Sequence, residues 1–266
     1  MKFAKMQGTG NDYIYVNCFE ETVFDPPAAA KFLSDRHARH FGVGSDGLVL
    51  IEPSDRADFK MDIYNSDGSR ARMCGNAARC VAKYVCDNGL TDKSLISLET
   101  PGGIKYIDIY KENGKVVSAR VNMGAPILKS RDIPALFDSD TVIDLPLKVG
   151  EKAYRVTCLS MGNPHCVIFS NDADSVNIQK TGPEFENHPA FPDRINTEFV
   201  QPLSGSRIKM RVWERGAGET LSCGTGACAA AAACILNGYC KRDTDITVPP
   251  APTVFTGEIT CCGGAR

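Results

Sequence analysis

Apolar and polar residues alternate along most of the chain, in short runs closed by glycine, proline, asparagine and aspartate. Residues 2–17, KFAKMQGTGNDYIYVN, read as a strand, a Gly-Thr-Gly-Asn-Asp turn and a second strand. Residues 26–36 read as a helix, with Pro26 and Pro27 in its first turn and Ala28, Phe32 and Leu33 on one face. A glycine-rich loop then feeds the apolar run LVLIE, and the alternation from Phe59 to Asn65 ends in an Asn-Ser-Asp-Gly turn. Strands are predicted over 95–100, 104–110 and 115–122, joined by Pro-Gly-Gly and Glu-Asn-Gly turns. The second half repeats the style. Strands fall near 153–160, 165–170, 197–202 and 207–214, with a short helix after 175.

Two stretches depart from alternation in the same way. Arg72-Met73-Cys74-Gly75-Asn76-Ala77 leads into small and apolar residues that end near Asn88-Gly89. Leu221-Ser222-Cys223-Gly224-Thr225-Gly226 leads into AAAAACIL. Each predicts a loop turning into a buried helix. The recurrence divides the chain into two halves, residues 1–122 and 123–252. Strands around one apolar helix per half imply two α+β domains, each a mainly antiparallel sheet wrapped about its helix.

The helix starts carry the candidate chemistry. A first turn presents N–H groups without intrahelical partners and the positive end of the helix dipole, so it attracts a carboxylate and favours a thiolate. A cysteine placed there can act as a base. Two of them, one per half, can serve opposite faces of one amino-acid Cα, one taking a proton and the other delivering one, which inverts the centre without a cofactor.

Composition narrows the partners. Hydrophobic residues make up 43% and charged residues 23%, and the net charge is -2 with no basic run, so a small molecule is expected rather than nucleic acid. No apolar run approaches the roughly 20 residues of a membrane helix. Met1-Lys2-Phe3 opens no secretory signal. A cytoplasmic protein is expected. The twelve cysteines include no C-x-x-C pair, which disfavours thioredoxin-like chemistry and structural disulfides. Cys80, Cys86, Cys228, Cys234 and Cys240 lie in apolar stretches and read as core. His37 and His40 stand three apart without further ligands at zinc spacing, so no metal is expected. Taken singly, Asn11 reads as a turn residue, Glu214 as a surface charge and His165 as a core histidine.

Nine strings in order, GTGNDY, HFGVGSDG, YNSDGS, MCGNAARC, VNMGAP, SMGNPHC, RINTEF, WERGAGET and CGTGACAA, resemble the diaminopimelate epimerase family from Lys2 to about Thr247. The resemblance implies two pseudo-symmetric domains, each a β-barrel-like sheet around a central helix, with the site in the cleft between them. It also implies a cofactor-independent enzyme that interconverts LL- and meso-2,6-diaminopimelate in lysine and peptidoglycan precursor synthesis. In the LL-to-meso direction Cys74 is then the proton donor and Cys223 the acceptor. Gly75, Asn76, Gly224 and Thr225 hold the reacting carboxylate. Asn11, Asn65, Asn163, Asn196 and Arg215 grip the substrate, chiefly at its distal end, and Gly47 is a further contact. Glu214 and His165 bind the distal ammonium or tune the thiols.

Two departures stand out. Three residues appear inserted at 38–40, and the tail VPPAPTVFTGEITCCGGAR is short and proline-rich, with only FTGEI echoing the family's last strand. By the resemblance, a strand within 253–266 completes the first domain and the chain forms a homodimer. The alternatives are a proline racemase-like isomerase of the same fold, a peroxide-reducing thiol protein, and a diaminopimelate-binding protein without turnover.

Overall fold

The computed structural model describes residues 1–37, 42–241, 243–247 and 258–260. The inserted positions 38–40, Pro249, Pro250, Pro252 and the vicinal Cys261 and Cys262 lie outside them. The chain divides into two compact units, Met1–Asn122 and Met123–Arg266.

The first unit runs β1 (Ala4–Gly8), β2 (Asn11–Asn17), α1 (Pro26–Ser34), β3 (Gly47–Glu52), β4 (Phe59–Asn65), β5 (Arg70–Ala71), α2 (Gly75–Asp87), β6 (Leu95–Thr100), β7 (Gly103–Glu112) and β8 (Lys115–Val121). Its sheet has the order β1-β2-β3-β4-β6-β7-β8, with β5 beside β4. The β2/β3 and β4/β6 pairs are parallel and the other neighbours antiparallel. Each parallel pair is bridged by a helix, as a crossover requires. The sheet curls, because α2 touches both terminal strands, β1 and β8.

Side-chain alternation assigns the two faces. Tyr13, Tyr15, Val49 and Ile51 pack with Ala77, Ala78, Val81 and Val85 of α2. Ile14, Val16, Leu48 and Leu50 pack with Ala30 and Leu33 of α1. The central parallel strands are therefore apolar on both faces, which reads in sequence as continuous runs such as LVLI.

The second unit runs β9 (Val142–Val149), β10 (Lys152–Ser160), β11 (Pro164–Phe169), α3 (Ile178–Glu186), β12 (Asn196–Ser204), β13 (Arg207–Glu214), β14 (Gly218–Thr220), α4 (Gly224–Leu236), β15 (Asp243–Thr247) and β16 (Glu258–Thr260). From β10 to β16 its pairings repeat those of β1 to β7 in order and in sense: antiparallel, parallel, antiparallel, parallel, antiparallel. The recurrence of the cysteine motif thus reflects a repeated topology. α4 touches β10, β11, β12, β13 and β15. Ala229, Ala230, Ala231, Ala233 and Cys234 of α4 are at most 1% exposed. Alanine on all sides lets the strands approach closely.

Three expectations are corrected. Glu258–Thr260 pairs antiparallel with β15, in the second sheet, rather than adding a strand to the first unit. The edge nearest in sequence is the one with the smallest closure entropy. β9 was not legible, because its run VIDLPLKV contains a proline that marks a sheet edge, where β9 indeed lies. Cys86 is only partly buried, packed at the margin of the first core with its Sγ 3.9 Å from the Lys93 carbonyl.

Gly182 in α3 lies against Trp213, and a Cβ there would meet the indole ring at 2.4 Å. Gly182→Ala should therefore destabilise the fold by about 1–3 kcal/mol despite alanine's better helix propensity. A chemical-denaturation midpoint equal to or above the parent's would contradict this packing.

Candidate active site

Each candidate cysteine is the N-cap of its helix. Cys74 has φ -141° and ψ 115°, and α2 begins at Gly75. Cys223 has φ -122° and ψ 110°, and α4 begins at Gly224. Extended backbone at the cap turns the chain from loop into helix and leaves each sulfur beside the first turn.

Around Cys74 the groups come from the β1–β2 turn and from the loop before β3. Cys74 Sγ lies 3.5 Å from Asn11 Oδ1. Asn11 Nδ2 donates to Asp46 Oδ2 at 2.5 Å, and the same oxygen accepts the Asp12 N–H at 3.0 Å. An ionised carboxylate only accepts, so the amide nitrogen faces Asp46 and the amide oxygen faces sulfur. The Cys74 thiol therefore donates to the Asn11 amide oxygen, and the Tyr13 hydroxyl is hydrogen-bonded to the same sulfur. Arg36 holds Asp46 at 3.0 Å and also grips Asp12. Asn76 is 3% exposed, its Oδ1 accepting from Thr9 Oγ1 at 3.0 Å and Arg79 at 2.7 Å. Gly75 is buried.

Gly47 and Asn65 stand at the start of β3 and the end of β4 and are register partners. Gly47 has no room for a side chain, since a Cβ would lie 2.2 Å from the Tyr64 carbonyl. Asn65 Nδ2 donates to Ser69 Oγ at 3.0 Å.

Cys223 has different partners, a backbone N–H that donates to its sulfur and the Glu214 carboxylate to which its thiol donates. Its Sγ accepts the Gly226 N–H at 3.4 Å and lies 3.4 Å from Thr225 Oγ1. Gly226 is required there, because a Cβ would come within 2.7 Å of Glu198 Oε1 and 3.3 Å of the sulfur. Burial pushes the Cys223 thiol well up, the Glu214 and Glu198 carboxylates push it further, and Thr225 and Gly226 pull it back. This corrects the expectation that the helix start lowers this thiol: removing the sulfur from water outweighs the helix-end N–H groups. Glu214 is raised as well, first by burial, with hydrogen bonds from Thr220 and Cys223 opposing. A carboxylate with raised affinity for a proton, hydrogen-bonded to a thiol, is a suitable first acceptor of that thiol's proton.

His165 is fully buried. Its Nδ1 lies 2.7 Å from Glu198 Oε1 and its Nε2 3.0 Å from Asn163 Oδ1. Asn196, 4% exposed, donates to the Pro164 carbonyl at 2.7 Å and accepts the Arg215 N–H at 3.0 Å, so it ties β11 to the turn after β13. Arg215 reaches the Asp193 carbonyl at 2.9 Å. Glu186 braces the same turn, accepting from Gly216 N at 2.8 Å and Trp213 Nε1 at 2.7 Å.

The structure thus gathers Asn11, Gly75, Asn76 and Cys74 at one helix start, and Asn163, His165, Glu214, Gly224, Thr225 and Cys223 at or near the other. Asp46, Glu186 and Glu198 were not singled out in the sequence. Asp46 and Glu198 sit inside motifs already quoted, GVGSDG and RINTEF, but only the fold reveals what they touch.

The fold is shared with solved epimerases and isomerases. A solved hydroxyproline epimerase from Agrobacterium vitis superposes with a TM-score of 0.64 at 13% identity, covering 92% of this chain and 80% of that one. A solved methylitaconate-delta-isomerase superposes at 0.58 and 14%, covering 94% and 86%. The sequence goes further. The description "Diaminopimelate epimerase" fits residues 3–129 and 157–252. The diaminopimelate epimerase of Acetivibrio thermocellus is 55% identical, over 97% of this chain and 98% of its own length. That of Methanococcus maripaludis is 51% identical, over 97% and 99%. The chain belongs to the diaminopimelate epimerase family.

Two outcomes follow from the site. Asp46→Asn removes the constraint on the Asn11 amide, so alkylation of Cys74 by iodoacetamide at neutral pH, followed by peptide mass spectrometry, should accelerate several-fold. An unchanged rate would mean that Asp46 does not orient the amide. Glu214, with its raised folded-state pKa, contributes stability below the ordinary carboxyl range that is lost as pH rises through the folded value. Glu214→Gln should accordingly raise the thermal midpoint more at pH 8 than at pH 4.

Proposed function

We propose that this protein interconverts LL- and meso-2,6-diaminopimelate by two-base proton transfer, without a cofactor, in lysine and peptidoglycan precursor synthesis. The curated relatives of 50% identity or more over nearly the whole chain support the substrate. The observation that supports the mechanism is the different set of partners at the two N-cap cysteines, the Asn11 amide oxygen and the Tyr13 hydroxyl at Cys74, the Gly226 N–H and the Glu214 carboxylate at Cys223. Cys74, donating to Asn11, is held as the thiol that delivers a proton. Cys223, accepting from the Gly226 N–H and backed by Glu214, is held to become the thiolate that takes one.

Writing the step out, Glu214 receives the Cys223 proton and the thiolate removes Cα–H. The electron pair passes into the α-carboxylate, and Cys74 S–H protonates the other face. Gly75, Asn76, Gly224 and Thr225 supply the N–H groups that stabilise the carboxylate as charge develops. Asn11, Asn65, Asn163, Asn196 and Arg215 orient the rest of the substrate, with Gly47 giving close backbone approach. Amides and a guanidinium fork suit a second amino-acid terminus. The reading carries with it a cytoplasmic enzyme, where both thiols stay reduced, and a homodimer.

Incubation in D₂O under reducing conditions should place deuterium at Cα of the product, and Cys74→Ser or Cys223→Ser should abolish epimerisation. Full turnover by either variant would end the two-base assignment. Turnover of proline in place of diaminopimelate would favour the racemase alternative. Because Glu214 must be ionised to take the Cys223 proton and burial raises its pKa, kcat/KM for the LL isomer should rise with pH through the raised Glu214 value and then level off.

A further inference from the structure

Glu198 is a buried carboxylate that the proton-transfer scheme does not use. It has no exposed surface, and its Oε2 makes no hydrogen bond to the described residues. Its Oε1 faces His165 Nδ1 at 2.7 Å and lies directly beneath the first turn of α4, where Gly226 leaves space for it. A leucine or valine would fill that volume at lower cost than a desolvated charge.

The repeated topology supplies a control. Glu198 is the third residue of β12, and Val49 is the third residue of β3, the corresponding strand of the first unit. Val49 is fully buried against α2. His165 likewise occupies the position of Tyr13: each pairs with the first residue of the next parallel strand. The fold therefore accommodates an uncharged pair here, and the Glu198–His165 pair belongs only to the unit that carries Cys223.

We propose that Glu198 is a positioning residue for proton transfer at Cys223: it accepts a hydrogen bond from His165 Nδ1–H, fixes the ring so that Nε2 faces the Asn163 side-chain amide, and places a negative charge under the start of α4. The inference rests on the epimerase reading above. The groups that face this charge are His165 and the buried Cys166 from β11, Glu214 from β13 and Cys223 from the cap of α4. Its charge raises both Cys223 and Glu214, and His165 opposes it at Glu214. Glu198 thus strengthens the bases without touching the reacting carbon.

The test is Glu198→Gln, which keeps volume and a hydrogen-bond acceptor, alone and combined with His165→Asn. At the pH optimum kcat should fall about tenfold with KM changed less than twofold, and the ascending limb of the pH profile should move to lower pH, because a charge that raised both bases is gone. In the His165→Asn background the same substitution should cost less than threefold. A profile that stays in place, or a full tenfold loss in the double variant, would overturn the proposal. An NMR resonance of the His165 Nδ1 proton, present in the parent and lost or shifted in Glu198→Gln, tests the pair without substrate. Its absence from the parent would also overturn it. A parent that shows the resonance yet fails to epimerise diaminopimelate would instead sink the epimerase reading and leave the pair intact.

Discussion

A helix packed inside a curled sheet can interact polarly only at its ends, and that constraint organises both halves of this protein. α2 and α4 bury most of their length, so their starts are where backbone N–H groups remain to be satisfied. In each case the residue that turns the chain into the helix is a cysteine. Small residues follow because the strands come close: Gly8 passes within 2.9 Å of the Asn76 carbonyl, measured from the Cβ it lacks, and Gly226 sits against Glu198. The sulfur, the helix dipole and the N–H groups are thereby concentrated in one place without any long side chain to position them.

The same backbone plan gives the two sulfurs different surroundings because the side chains differ at matching positions. Asn11 and Asn163 each precede a first buried strand. Tyr13, Val49 and Asn65 in the first unit correspond in strand position to His165, Glu198 and Glu214 in the second. An amide oxygen and the Tyr13 hydroxyl meet Cys74, whereas an N–H, the Thr225 hydroxyl and the Glu214 carboxylate meet Cys223. Ala77 follows the first motif where Gly226 follows the second, and the difference traces to the carboxylate beneath α4. Duplication thus provides two equivalent seats for a thiol, and substitution at three strand positions distinguishes them.

Burial sets the limits of that arrangement. A helix start favours a thiolate, but at Cys223 desolvation is larger, so the sulfur needs a neighbouring base. Glu214, itself raised by burial, fits that need at some expense to stability, a common compromise where charged groups serve chemistry rather than packing.

Much of this was legible in the residues. The alternating runs predicted most strands, AAAAACIL predicted a helix buried on all sides, and the paired cysteine motifs predicted the division into halves and the thiols at helix starts, because periodicity and small-residue composition are local properties. Other features required the fold. β9 hid behind its proline, β16 found the edge of the second sheet, and Cys86 lies at the margin of its core rather than within it. Glu198, Glu186 and Asp46 look like ordinary acidic residues in strands, helices and loops, yet each acquires its role from partners distant in sequence. The direction of a hydrogen bond at sulfur and the depth at which a carboxylate is buried depend on which strands lie side by side. Residue order alone determined where two thiols cap two helices; only tertiary packing decided which groups surround each sulfur, because those partners come from strands distant in sequence.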